Sequence, residues 1–315
     1  MSAFATQRGL SITPPRRSSN VALRRELETK LSTLQKDYAD LHAAIFEAAQ
    51  VHRRLCAPRL VRYGDFEIAN EIFAVRHLAG DFFTVKETEN GVVLALGDIC
   101  GKGLAAGMWT THLVGRVNAR AAVQTEPESI VAEVNRDICL TGPVAPLASL
   151  FVARLDPVSG KLEYCSAGHP PAMLLRANSN LEMLTDGGML LGVLPDAPYV
   201  RGCVELGAGD VLLAYSDGVI ESLNKADEEF GIARLESQLR QAALSRSIEA
   251  TSENEPLNLV GTVSAERVLF SVLAAVQDFA GTHPLVDDLS VAIIRRATGV
   301  DNEQSLSVDR LHLFF

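Results

Sequence analysis

Val92-Val-Leu-Ala-Leu-Gly-Asp-Ile-Cys-Gly-Lys-Gly-Leu104 is the stretch whose reading decides the fold. An apolar run of strand length ends on Gly97-Asp98, a Gly-Lys-Gly turn follows, and Leu104, Met108, Leu113 and Val117 then fall at helical spacing. Just upstream, Asn90-Gly91 is a hairpin signal, and Asp156-Pro-Val-Ser-Gly160 is another. Such short connections force antiparallel pairing, because parallel strands need long crossovers. Further strand-like runs cover Phe66 to Val75, Phe82 to Val85, Leu150 to Leu155, Lys161 to Cys165, Ala172 to Leu175, Val211 to Tyr215 and Leu289 to Ile294. Helical spacing marks 104–140 and 263–280, the second through Val268, Leu269, Val272, Ala275, Val276 and Phe279. The pattern predicts an α+β protein of antiparallel sheets with helices packed outside.

The 315 residues carry 29 Lys+Arg against 39 Asp+Glu, a net charge of -10, which argues against nucleic-acid binding because that needs a basic stripe. With 47% hydrophobic and 22% charged residues, the composition is that of a globular chain long enough for one large core. The five cysteines, Cys56, Cys100, Cys139, Cys165 and Cys203, include no Cys-x-x-Cys pair and read as reduced thiols of a cytoplasmic protein. Neither a signal peptide nor a long apolar span is visible, so no membrane partner is expected.

Residues 1–19, with Pro14 and Pro15, read as a disordered lead-in. Residues 20–57 form an N-terminal helical segment: Leu27, Leu31, Leu34, Tyr38, Leu41, Ile45 and Ala48 alternate at spacings of four and three, the seam of a coiled coil, and Pro58 stops it. Residues 20–56 are therefore expected to make a homodimer; a helix lying on its own domain is the alternative. The main domain spans 58–296, interrupted by a polar loop at 243–262, and 297–315 is a C-terminal tail.

Acidic residues recur at strand ends. Asp81 follows Gly80 at the start of a strand, Asp98 ends one, Asp217 ends Val211 to Ser216 and precedes Gly218, and Asp287-Asp288 leads into Leu-Ser-Val-Ala-Ile-Ile. A carboxylate held near a core is costly unless something positive sits beside it. With no His or Cys cluster nearby in sequence, oxygen-only ligation points to a hard cation such as Mg²⁺ or Mn²⁺. The bland reading is that each Asp starts a turn or caps a helix, and spacing alone does not show that they converge. Gly101-Lys102-Gly103 is not a nucleotide-binding P-loop, lacking both its spacer and the Ser or Thr after the lysine.

Ala79-Gly-Asp-Phe-Phe83, Gly97-Asp-Ile-Cys-Gly-Lys-Gly-Leu104, Ser166-Ala-Gly-His-Pro-Pro171, Gly187-Gly-Met-Leu-Leu-Gly-Val193, Tyr215-Ser-Asp-Gly-Val-Ile-Glu221, Phe230-Gly231 and Asp287-Asp-Leu-Ser-Val291 stand in an order that resembles the PPM-type (PP2C-like) serine/threonine phosphatases, most closely the bacterial SpoIIE/RsbU branch, over about residues 60–296. The resemblance implies a central antiparallel β-sandwich flanked by helices on both sides, with a site for two Mn²⁺ or Mg²⁺ at one end. By the same resemblance Asp98 bridges both metals, the Ile99 backbone carbonyl joins the second, Asp217 and Asp287 complete the first, and Asp81 lies near the second. Catalysis then runs through a metal-bridging hydroxide held by Asp98, Asp217 and Asp287. Gly80, Gly97, Gly218, Asp288, His169 and Lys102 stand around that set.

The sequence also departs from the family. Cys100 replaces the histidine that eukaryotic members carry two residues after the bridging aspartate, leaving protonation of the departing alkoxide to a metal-bound water. Phe83 and Thr84 replace the Tyr-Asp of the bacterial pattern. His169, in its Gly-His-Pro turn, is expected to hold strand and turn together by hydrogen bonds, and Lys102 either steers phosphate or is a solvated turn residue. The branch implies a phosphorylated STAS-domain anti-anti-sigma factor as substrate and partner. The competing readings are a non-catalytic phosphatase-like interaction module and a coiled-coil scaffold.

Overall fold

A computed structural model describes residues 17–142, 145–244 and 263–298. The expected lead-in apart from the start of the first helix, most of the 243–262 loop and nearly all of the 297–315 tail lie outside the described residues. The chain divides into two units, Met1–Ala48 and Ala49–Phe315. Helix α1 (Arg17–Leu55) supplies the described part of the first and a short piece of the second. Leu27, Leu31, Leu34, Tyr38 and Leu41 are each more than half exposed, so the seam that the spacing marks is an uncovered apolar stripe.

The second unit holds two sheets. In chain order the strands are β1 (Leu60–Tyr63), β2 (Phe66–Phe73), β3 (Phe82–Thr88), β4 (Gly91–Ile99), β5 (Ala148–Leu155), β6 (Lys161–Ala167), β7 (Ala172–Leu175), β8 (Leu181–Leu184), β9 (Gly187–Gly188), β10 (Gly202–Glu205), β11 (Val211–Tyr215) and β12 (Leu289–Arg296). One sheet has the order β1-β2-β12-β11-β7-β8, the other β10-β6-β5-β4-β3. Pairing is antiparallel throughout, as the tight turns require, except that β9 lies parallel to β6.

Helices α2 (Leu104–Ala121) and α3 (Pro127–Leu140) are separated because Pro127 can start a helix but cannot continue one, so the 104–140 segment is two helices rather than one. After the single turn α4 (Asp217–Ile220) come α5 (Gly231–Leu244) and α6 (Ala265–Ala280), the latter capped by Ser264, whose hydroxyl accepts from the Arg267 amide.

Alternation along the strands builds the layers. In β11, Leu212 and Ala214 face the other sheet, whereas Val211, Leu213 and Tyr215 face α5 and α6. In β4, Val92, Leu94 and Leu96 fill the space between sheets, whereas Val93, Ala95 and Ile99 meet α2 and α3. The strands are thus apolar on both faces, as two stacked sheets covered by helices demand. Leu213 is fully buried under α6, and truncating it leaves a cavity that flanking strands cannot collapse. Leu213→Ala is expected to cost about 2–5 kcal/mol in urea unfolding, with the slope against denaturant unchanged.

Candidate active site

Antiparallel register brings the strand-end acids to one end of the sandwich. Phe82 pairs with Gly97, so Asp81 before β3 and Asp98 near the end of β4 occupy the same rim. Tyr215 pairs with Val291, so Asp217 after β11 and Asp287 before β12 occupy the corresponding rim of the other sheet. Two side chains then tie the rims together. Asp288 Oδ2 accepts from the Gly80 amide (2.6 Å) and its Oδ1 from the Val75 amide (2.7 Å), while the Ser290 hydroxyl donates to Asp81 Oδ2. Thr110 of α2, fully buried, donates to the Gly80 carbonyl (2.8 Å), fixing the same loop from its other side.

A side chain on Gly80 would crowd its neighbours. A Cβ there would stand 3.2 Å from the Ile99 carbonyl oxygen, 3.4 Å from Asp98 Oδ1 and 3.4 Å from the Gly101 carbonyl oxygen. Carboxylate and carbonyl oxygens from one turn therefore cluster against a bare backbone. Gly218 is tighter still: a Cβ there would overlap the Asp288 carbonyl oxygen and stand 3.4 Å from the Asp287 Cβ. Gly97 packs beneath the Phe82 ring.

Burial and mutual repulsion dominate the electrostatics. Asp81 is almost wholly buried; burial first, then the Asp98 charge, push its carboxyl well above the usual range, and it is hydrogen-bonded to Asp98. Asp98 is itself raised to about 6, chiefly by burial and further by Asp217, Asp287 and Asp288. Asp217 is raised by burial and by Asp287, and Glu221, one turn on, by burial, Asp217 and Glu229. Charges that perturb one another in this way are near neighbours. One cation is ion-paired within the group: Lys102 Nζ lies 2.8 Å from Asp287 Oδ2 and 2.5 Å from the Val286 carbonyl oxygen. With the acids engaged in this way, no three His, Cys, Asp or Glu side chains among the described residues stand together in a ready-made metal cage.

The oxygen-only donor set of Asp81, Asp98, the Ile99 carbonyl, Asp217 and Asp287 fits a hard divalent cation in its chemistry. Asp288 does not share that situation: both its oxygens are spent on backbone amides, so it locks the 75–80 loop. His169 is buried, its Nδ1 2.7 Å from the Ser149 hydroxyl, and burial pushes the imidazole down to about 3, so the ring is neutral. Its carbonyl accepts from Ser166, joining the turn to β6. Cys100 is exposed, yet its thiol is pushed up by partial burial and by Asp98, Asp217 and Asp287.

Thr110, Ser216 and Ser290 were not singled out in the sequence. The Ser290 amide donates to the Ser216 hydroxyl (3.0 Å), linking β12 to the end of β11 beside Asp217. A polar Ser290 at a fully buried strand position is the one signal that could have revealed it.

Two sheets face to face, helices outside and acids at one rim define the class of PP2C-type serine/threonine phosphatases. Residues 88–297 match the family described as Stage II sporulation protein E (SpoIIE). The chain belongs to that family; the matched span holds Asp98, Asp217 and Asp287 but not Asp81. It is 22% identical over 265 residues to phosphoserine phosphatase RsbU of Bacillus subtilis, covering 84% of this chain and 73% of RsbU. Among solved structures, the SiaA-PP2C domain of Pseudomonas aeruginosa superposes with a TM-score of 0.66 at 17% identity, over 83% of this chain and 98% of that one. The RsbU and RsbW domains of a Mycobacterium tuberculosis protein superpose with a TM-score of 0.59 at 22% identity, over 74% of this chain. Here the chain spans only 60% of its relative's length. No helix among the described residues is long and apolar enough to cross a membrane.

Removing the Asp288 carboxylate strands two backbone amides. Asp288→Ala is expected to cost about 2–4 kcal/mol by chemical unfolding in chelator and to speed hydrogen exchange at Val75 and Gly80. Asp98 binds its proton more tightly folded (about 6) than at the ordinary value of 3.8. The folded chain therefore holds the extra proton between those values, and this group's contribution to stability falls as pH rises through that window. In chelator, melting temperature is expected to drop from about pH 4 to about pH 6, and to drop less in Asp98→Asn.

Proposed function

We propose that this chain is a metal-dependent phosphatase that hydrolyses phosphoserine or phosphothreonine on a bacterial regulatory protein, with a phosphorylated STAS-domain anti-anti-sigma factor as substrate. The observation that carries the reading is the gathering of Asp81, Asp98, Asp217 and Asp287 at one rim with the Ile99 carbonyl beside them. PP2C-type phosphatases are metal-dependent, and in this chain those five groups are the ones that would hold Mn²⁺ or Mg²⁺, two ions if the family pattern carries over. Bound there, the metal would acidify water and neutralise charge building on the phosphoryl oxygens.

The chain's own residues do the rest. Asp98, raised to about 6 and tied to Asp81, is deprotonated at neutral pH and becomes more so with any added positive charge. Asp288, Ser290 and Thr110 hold the loop behind Asp81, so both rims stay aligned while charge redistributes. Cys100, whose thiol is pushed up, keeps its proton at neutral pH and does not act as a base.

An enzyme with a net charge of -10 gains no long-range steering toward a phosphorylated partner, so recognition rests on a local surface. Residues 20–56 make the homodimer: the exposed seam of Leu27, Leu31, Leu34 and Tyr38 is what a second copy of the helix would bury. The protein works in the cytoplasm, consistent with five unpaired cysteines.

Purified protein with Mn²⁺ is expected to hydrolyse p-nitrophenyl phosphate and to release phosphate from STAS phosphoproteins of the same organism, and chelator should stop both. Asp217→Asn is expected to lower the rate at least about 100-fold. Equal rates for the two proteins would favour the non-catalytic interaction module instead. Leu34→Lys in the full chain is expected to convert a sedimenting dimer into a monomer; a monomeric wild type would remove the dimer.

A further inference from the structure

The lysine in the Gly101-Lys102-Gly103 turn is committed to the carboxylate cluster. Its ammonium bonds Asp287 Oδ2 at 2.8 Å and the Val286 carbonyl oxygen at 2.5 Å, and about a third of each paired side chain remains exposed. Its charge reaches further, opposing the upward push on both Asp217 and Glu221. This is the arrangement expected of a counter-ion, a compact charge on a flexible stem set among acids that repel one another. Lys102 itself stands at an exposed position of its turn. The stem can therefore swing away without disturbing the backbone.

We propose that Lys102 is the resident counter-ion of the carboxylate cluster, holding Asp287 until a divalent cation displaces it, so that cation binding and Lys102 release are one exchange. The inference rests on the phosphatase reading of the same site. A phosphate-steering lysine would need its ammonium free, whereas this one is bonded twice. A purely structural ion pair would stabilise the chain with or without cation; a displaceable one stabilises only the cation-free state and opposes cation binding. The released ammonium stays tethered nearby, so its repulsion of the incoming charge adds to the competition.

The test is Mn²⁺ titrated calorimetrically into metal-free full-length protein, as wild type, Lys102→Met and Lys102→Arg, with melting temperatures recorded in chelator and in saturating Mn²⁺. Lys102→Met is expected to bind Mn²⁺ about five- to tenfold more tightly than wild type, and Lys102→Arg, which keeps the charge, about as wild type does. In chelator Lys102→Met should melt below wild type, and in saturating Mn²⁺ that deficit should close or reverse. Equal or weaker Mn²⁺ binding by Lys102→Met overturns the proposal, as does a melting deficit that persists undiminished in Mn²⁺. If wild type binds Mn²⁺ and the variant matches it, only the role of Lys102 falls. If no form binds Mn²⁺, the phosphatase reading falls with it.

Discussion

Repulsion among Asp81, Asp98, Asp217 and Asp287 has to be borne by a backbone that cannot relax away from it. Each acid is attached to the end of a strand whose other residues are packed between two sheets or beneath a helix layer, so the charges are held at a rim by apolar contacts on the far side of the same strands. Every other polar choice nearby follows from that burden. Asp81 and Asp98 share a hydrogen bond, Ser290 donates to Asp81, and Lys102 sits on Asp287. In water such an arrangement would disperse; here the sandwich supplies the restraint, and a multivalent cation is the partner that would satisfy it.

Much of the architecture was legible because it rests on local chemistry. The expected strands at 66–75, 82–85, 92–96, 150–155, 161–165, 172–175, 211–215 and 289–294 all exist, since runs apolar on both faces have few other uses in a chain of this composition. What went unread were the weak elements. β1, β8, β9 and β10 are two to four residues long and carry half-exposed or glycine positions, so neither length nor alternation distinguishes them from loop. Helix α5 opens on Gly231, which hides its start, and the 104–140 segment reads as one helix until Pro127 is allowed to begin a second.

The acids of the site were legible by position, but their gathering was not. Spacing locates Asp98 and Asp217 at strand ends; that both ends lie at the same rim depends on contacts such as Asp288 with Gly80 and Ser290 with Asp81, which join residues 208 and 209 positions apart. The supporting hydroxyls of Thr110, Ser216 and Ser290 were hard to read for a related reason, since serine and threonine within or beside apolar segments announce burial only once the helix or strand is known to be covered.

Asp287 and Asp288 show how the fold obtains two functions from adjacent residues of one type. Just ahead of β12, where the chain leaves a bend at Asp287, their side chains engage different partners. Asp288 turns toward the 75–80 loop and accepts from two amides, fixing the backbone that presents Asp81; Asp287 turns toward Lys102 and the other carboxylates. Both members are required. Without the inward acid the loop behind Asp81 loses its anchor to the second sheet, and without the outward one the rim of β11 and β12 has only Asp217 to set against Asp98. The separation of roles lies in the local backbone rather than in the residue type, so the spacing of an Asp-Asp pair alone does not say which acid faces where, and only the family resemblance distinguishes them.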